Sequence, residues 1–294
     1  MFENLFSAEH CGAALEALLQ ERKTACPQMQ IVPFGKSSCG QKLYAAALGR
    51  LKNPVLFVGG LSAQDRMSTL LLLRFLWDMT NRDDPSSPCQ SASLQKFFEY
   101  CGVLILPLLN PDGFDIARGG PETAGALAPL SAHAMQNDPA PWEANAAGTS
   151  LKHNFNAAFP YDTARSMHAS PSGFPGTRPE SEAETKALVR FTASFHPKRV
   201  IELRTPGETV AVSLGRYAPA SAGISREIIA NSCGYRLLPP EDGFERGSFK
   251  DWFAQAGGKE GYTICAGCSS PVPDDDLEPL YTRLMQTFLL CMVV

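Results

Sequence analysis

Apolar positions along the chain follow two rhythms. Residues 55–58, 103–109 and 200–203 form short runs almost free of polar residues, rich in β-branched side chains and bounded by turn formers. Such runs predict strands buried on both faces of a sheet. Residues 31–34 and 42–48, on either side of a turn between Gly35 and Gly40, predict two more strands, and 262–266 another. Between these runs the spacing becomes helical. Ser7 is placed to cap a helix reaching Glu21, with Leu15, Leu18 and Leu19 on one face. Helices are predicted over 67–79, 91–100, 220–231 (stopped at Gly234), 248–256 and 277–292. Ser181 with Glu184 reads as a capping box opening a helix to Phe195. Asn110-Pro111-Asp112-Gly113 reads as a turn. The stretch 119–179, rich in Gly, Ala, Pro, Ser and Asn, reads as a long loop region of the kind that shapes a site.

Strands alternating with helices imply an α/β protein of three layers, with a mixed, largely parallel twisted sheet between two layers of helix. Ligands of such sheets bind beyond the carboxyl ends of the strands. A site is therefore expected after Val58, Leu109, Leu203 and Ile264. With 294 residues, 44% of them hydrophobic, the chain can bury a sizeable core as one large domain or two smaller ones.

Charge and cysteine usage narrow the setting. The net charge is −4, and Lys and Arg are scattered, which argues against a nucleic-acid partner. The most apolar helical stretch, 70–77, is interrupted by Arg74 and too short to span a membrane. Glu3, Glu9 and His10 stand where a secretory leader would be basic and then apolar. The cysteines number nine, an odd count, and several sit in apolar segments, as reduced thiols do. A cytoplasmic protein is expected. Cys265 and Cys268 form a single C-x-x-C with no second pair at metal-site spacing.

Several short motifs fall in order along the chain. They are Phe34-Gly35-Lys36-Ser37 with Gly40 and Leu43-Tyr44; the run from Val55 to Asp65; Pro107 with Asn110-Pro111-Asp112-Gly113-Phe114; Gly176-Thr177-Arg178-Pro179 with Ser181, Glu182 and Glu184; and Gly247-Ser248-Phe249-Lys250-Asp251-Trp252 followed by Gly261-Tyr262-Thr263-Ile264. Through them the chain resembles the M14 zinc carboxypeptidases, especially the bacterial branch with γ-D-glutamyl endopeptidases. The resemblance implies a single domain over 1–294 with the zinc-carboxypeptidase fold.

It also implies a set of site positions, and most are occupied by the wrong chemistry. The family's His-x-x-Glu aligns with Ser62-Ala63-Gln64-Asp65, and its later metal-binding His with Arg204. A serine hydroxyl is a poor zinc ligand, and a guanidinium has no lone pair to offer. The general-base Glu aligns with Cys265. Lys152 and His153 stand at the positions that grip a substrate carboxylate, and Arg118 is the candidate oxyanion residue. The mobile tyrosine expected before Ser248 is absent, with Phe244 the nearest aromatic. No zinc or other cofactor is expected. A non-catalytic pseudopeptidase binding a peptide, a cell-wall fragment or a partner protein is the leading expectation. Two enzymatic alternatives stay open: a metallocarboxypeptidase or peptidoglycan peptidase with a relocated metal site, and a hydrolase using Cys265 with His153 or His168 as base. None of His10, His133, His153, His168 and His196 falls at a metal position. Asp65 and Arg204 are expected to pair across the vacated metal region, Glu202 to pair with a neighbouring cation, and Trp142 and Trp252 to line the cleft or pack beside it.

Overall fold

The computed structural model describes residues 2–81, 98–138, 140–159, 166–213, 222–239, 245–257 and 259–294. Its strands are β1 (Gln30–Lys36), β2 (Lys42–Gly49), β3 (Val55–Val58), β4 (Gly102–Leu106), β5 (Arg199–Arg204), β6 (Thr209–Ser213), β7 (Arg236–Leu237) and β8 (Glu260–Cys265). The described helices are α1 (Glu3–Ser7), α2 (Cys11–Ala25), α3 (Arg66–Thr80), α4 (Pro111–Gly119), α5 (Ala128–Asn137), α6 (Ala183–Phe195), α7 (Ala222–Cys233), α8 (Phe249–Gly257) and α9 (Leu277–Val293).

All eight strands join one sheet in the order β1-β2-β4-β3-β5-β8-β6-β7. The centre, β4-β3-β5-β8, is parallel. The β1–β2 hairpin joins β4 antiparallel, and β6 joins β8 antiparallel. Side chains alternate across this sheet. Val55, Phe57, Ile201, Leu203, Tyr262 and Ile264 pack with α2, α3 and α9, while Leu56, Val58, Leu104, Leu106 and Val200 pack with α6 and α8. Both faces are covered, which is why these strands read as unbroken apolar runs. Phe57, Phe75 and Phe288 meet with ring centroids 5.1–5.7 Å apart and lock β3, α3 and α9 together.

Several local readings change. The helix expected from Ser7 starts four residues later, Ser7 itself being the last residue of α1. α2 starts at Cys11, whose N–H is capped at 3.0 Å by Asp115 of α4, a partner over a hundred residues away. The capping box at Ser181 is not formed. α6 opens at Ala183, Ser181 hydrogen-bonds Glu182 and Asn154, and Glu184 turns inward to Ser38 and Asn145. Asn110-Pro111-Asp112-Gly113 is a helix start rather than a free turn. The Asn110 side chain accepts from Gly113 N at 3.0 Å, and Pro111 sits in the first turn, where its missing N–H is harmless. The loop region expected over 119–179 contains the 3₁₀ turn Pro121–Leu127 and α5. The strand expected over 103–109 stops at Leu106, and the short strands β6 and β7 have no counterpart in the sequence reading. Of the helix expected over 91–100, only 98–100 are described, and they are helical. Phe244 lies outside the described residues.

Candidate functional site

The chain leaves β3 through Gly59 and Gly60. Gly60 has φ 63°, and a Cβ there would sit 2.7 Å from Thr69 Oγ1 and 2.9 Å from Pro107 O, so only glycine fits the bend. Ser62, buried, and Asp65 follow. Asp65 is the N-cap of α3, with Oδ1 accepting from Ser68 N at 3.1 Å. The same carboxylate accepts from Thr205 Oγ1 at 2.6 Å and Thr205 N at 3.2 Å. Burial pushes the Asp65 carboxyl up, against the opposing pull of these hydrogen bonds and of the Lys152 charge. Asn110 completes this corner by donating to Leu61 O at 3.2 Å and Ala144 O at 3.1 Å.

Arg204 ends β5 and stands in register beside Cys265, the last residue of β8. The expected Asp65–Arg204 pair is not made. Arg204 Nε and Nη2 both lie 2.6 Å from Glu202 Oε1, and Nη1 lies 2.6 Å from Glu245 Oε2. The reason is strand geometry. Residues two apart share a face, so the fully buried Glu202 meets Arg204 first, and Asp65 is already satisfied by the backbone and hydroxyl of Thr205. The cation expected beside Glu202 is thus Arg204 itself. Burial raises the Glu202 carboxyl, partly offset by Arg204. Burial alone would also raise Glu245, but Arg204 and His153 outweigh it and hold that carboxyl below its ordinary range. Burial works against the Arg204 charge, yet Glu202 and Glu245 bind its proton more firmly than usual.

Glu245 escapes the sequence reading. It stands two residues before Gly247-Ser248, in the stretch where the family's tyrosine is expected, and only its position in space marks it as part of the site. Its backbone is fixed: its N–H donates to Asp251 Oδ2 at 3.0 Å, and its carbonyl accepts from Ser248 N at 3.1 Å. Gly247, with φ 73°, is bonded to Phe155 N and Ala157 O, and a Cβ there would overlap the His153 carbonyl oxygen. Glycine therefore lets the 245–248 segment lie directly against the 153–157 segment.

Lys152 and His153 occupy the 3₁₀ turn Leu151–His153 on the near side. Lys152 pairs with Glu143 at 3.0 Å. His153 Nδ1 lies 3.2 Å from Arg246 O and 3.6 Å from Glu245 Oε1. Burial lowers the His153 pKa, Glu245 resists this, and Arg204 and Lys152 reinforce it, so the ring is mostly neutral at pH 7.

Arg118 is not brought to this group. Its guanidinium donates to Phe6 O at 3.0 Å, Glu9 O at 2.9 Å and Ala8 O, and lies 3.7 Å from Asp115. It sits at the end of α4, one turn from Asp115, and holds the N-terminal segment. The oxyanion role implied for it has no geometry here. Burial raises the Cys265 thiol despite the Arg204 charge, which opposes a thiolate nucleophile. His168 is exposed, and His153 turns to Arg246 and Glu245, not to Cys265. Trp142 packs in a small cluster with Ala63, Ala144 and Ile116, and Trp252 packs against Phe155 and Phe249. Among the described residues, no group of three His, Cys, Asp or Glu side chains is placed to hold a metal ion. No described helix is long and apolar enough to cross a membrane.

The sequence pattern of the zinc carboxypeptidases, peptidase M14, matches residues 15–221. The chain belongs to the M14 zinc carboxypeptidase family. A similar protein is γ-D-glutamyl-L-diamino acid endopeptidase 1 of Lysinibacillus sphaericus, 24% identical over 276 residues, covering 92% of this chain and 69% of that protein. Among solved structures, thrombin-activatable fibrinolysis inhibitor superposes with a TM-score of 0.76 at 17% identity, over 96% of this chain and 73% of that one. The murein-tripeptide amidase MpaA of Escherichia coli O157 does so with a TM-score of 0.55 at 18% identity, over 92% and 95%. At these identities the structural likeness speaks for the M14 fold alone.

Proposed function

We propose that this M14 chain is a non-catalytic pseudopeptidase whose cleft binds a peptide or a peptidoglycan fragment. One observation carries the reading: Arg204, at the end of β5, puts a permanent cation where the family's resemblance implies a metal-binding histidine, and two carboxylates already neutralise it. The remaining donors do not fit zinc. Asp65 is committed to Ser68 and Thr205, Ser62 offers a neutral hydroxyl, and a dication beside the Arg204 guanidinium would be repelled.

Peptide hydrolysis also needs a base. Cys265 stays a thiol, and Glu245, its carboxyl held down by Arg204, is a weak one. The ligand class is supported by the relative named as a γ-D-glutamyl-L-diamino acid endopeptidase, whose matched stretch spans nearly all of this chain. Lys152 and Arg204, each paired with carboxylates of the chain in the unliganded site, are the cations nearest a bound anionic peptide.

The test is metal content and turnover on the same preparation. Protein purified without chelator and dialysed is expected to hold far less than one zinc per chain. It is expected to leave carboxypeptidase and γ-D-glutamyl-diamino acid substrates intact. Near-stoichiometric zinc that survives dialysis would overturn the reading, as would turnover abolished by Asp65→Ala or Cys265→Ala.

A further inference from the structure

Beside Arg204 stands a carboxylate that belongs to the chain but is mounted like a ligand. Glu245 Oε2 lies 2.6 Å from Arg204 Nη1. Its side chain is 31% exposed, against 13% for Arg204 and none for Glu202. The two carboxylates around Arg204 therefore differ in kind. Glu202 is fully buried on β5 and cannot part from Arg204 without stranding a buried charge. Glu245 sits on the open side, and its backbone is held independently of its side chain by Asp251 and Ser248. Releasing its carboxylate from Arg204 therefore breaks none of the bonds that hold its backbone.

We propose that Glu245 is a tethered stand-in for a ligand carboxylate, and that the cleft takes up a carboxylate-bearing ligand by exchanging it for Glu245 on Arg204. The exchange conserves charge: one carboxylate leaves the guanidinium and one arrives. A guanidinium edge favours a planar carboxylate, which it can engage through two parallel N–H donors. His153, whose Nδ1 is 3.6 Å from Glu245 Oε1, borders the vacated place, and the adjoining Lys152 is paired with Glu143. The contact is self-inhibitory, because the open form must be populated before a ligand binds, and apparent affinity falls by the fraction that is open. This inference rests on the metal-free reading of the site, since it gives Arg204 the role of anchor.

The test is calorimetric titration with N-acetylglycine, a minimal peptide-like carboxylate, and with N-acetylglycinamide as its neutral control. It is run on the full chain with and without a strong chelator. Glu245→Gln, checked for native melting, is expected to bind N-acetylglycine about tenfold more tightly than the parent chain, the gain from removing a competitor that occupies the site roughly nine-tenths of the time. Glu245→Asp, one methylene shorter, is expected to bind at least as tightly as the parent, and neither variant should take the amide. Equal affinity in parent and Glu245→Gln would overturn the exchange, as would equal binding of acid and amide. Binding by the parent that vanishes with chelator would instead overturn the metal-free reading, so the two failures are distinguishable.

Discussion

Arg204 matters most for what its removal would leave behind. Glu202 is fully buried and ion-paired to Arg204, while its second oxygen has no hydrogen-bond partner among the described residues. Arg204→Ala is therefore expected to destabilise by about 3 kcal/mol or more, because an unpaired buried carboxylate is worse than no carboxylate. The double change Glu202→Gln with Arg204→Ala should recover part of that loss. Urea denaturation of the four proteins in the cycle measures the coupling, and simple additivity would mean the two do not act as a pair. The pairing was half legible. Glu202 and Arg204 lie two apart on one strand, so period-two alternation already put them on one face. Asp65, by contrast, drew attention because it aligns with the Glu of the family's metal motif, and its pairing with Arg204 was expected because the fold brings the ends of β3 and β5 together. Its partner Thr205 is simply the next residue along, one whose hydroxyl and N–H both reach it.

At the scale of elements, Asn110 joins three of them. Its side chain caps α4 through Gly113 N, and its amide donates to Leu61 O after β3 and to Ala144 O in the loop beyond α5. Asn110→Ala removes a cap and leaves two buried carbonyls without this donor, and it is expected to destabilise by about 2 kcal/mol or more. Asn110→Asp keeps the cap acceptor and loses the two donors. Thermal melts should find it below the parent, and a melt equal to the parent's would mean that the two donated bonds contribute nothing. The N-P-D-G motif was visible as punctuation but not as a helix start. The same four residues serve a turn or an N-terminus, and the burial of Phe114, Asp115 and Ile116 decides between them. The apparent helix from Ser7 misled for a related reason. The break before Cys11 is stabilised by Asp115, which no local window contains.

At the scale of the whole molecule, Glu184 ties the β1–β2 turn to α6 and to the loop at Asn145 by accepting from Ser38 N at 2.8 Å, Ser38 Oγ at 3.0 Å and Asn145 Nδ2 at 3.4 Å. Burial, with the Asp112 charge nearby, pushes its pKa from 4.5 up to about 7. A carboxyl whose folded pKa lies above its unfolded one binds its proton more tightly in the folded chain. Its contribution is therefore complete below about pH 4.5 and lost as pH rises through about 7. Over that window the parent chain is expected to lose at most about 3 kcal/mol through this group. Glu184→Gln should flatten that part of the profile, as read by the difference between parent and variant in denaturant midpoint from pH 5 to 8. Parallel profiles would mean that Glu184 is ionised in the folded chain throughout.

The architecture was legible along the chain because its causes are local and repeated. Strands buried on two faces must be apolar throughout, helices must carry an apolar face, and both patterns survive in one dimension. Also legible was which side chains stand at the ends of β3, β5 and β8, since the strands fix the positions of Ser62, Asp65, Arg204 and Cys265 whatever lies around them. Which partners those side chains take depends on the folded arrangement. Asp65 turns to Thr205, Arg118 to the N-terminal carbonyls, and Arg204 to Glu202 and to Glu245 from forty-one residues away. A buried charge takes the partner that reaches it with the best geometry after folding. The competition among partners is settled by distances of a few ångströms between segments far apart in sequence, and no periodicity along the chain encodes them.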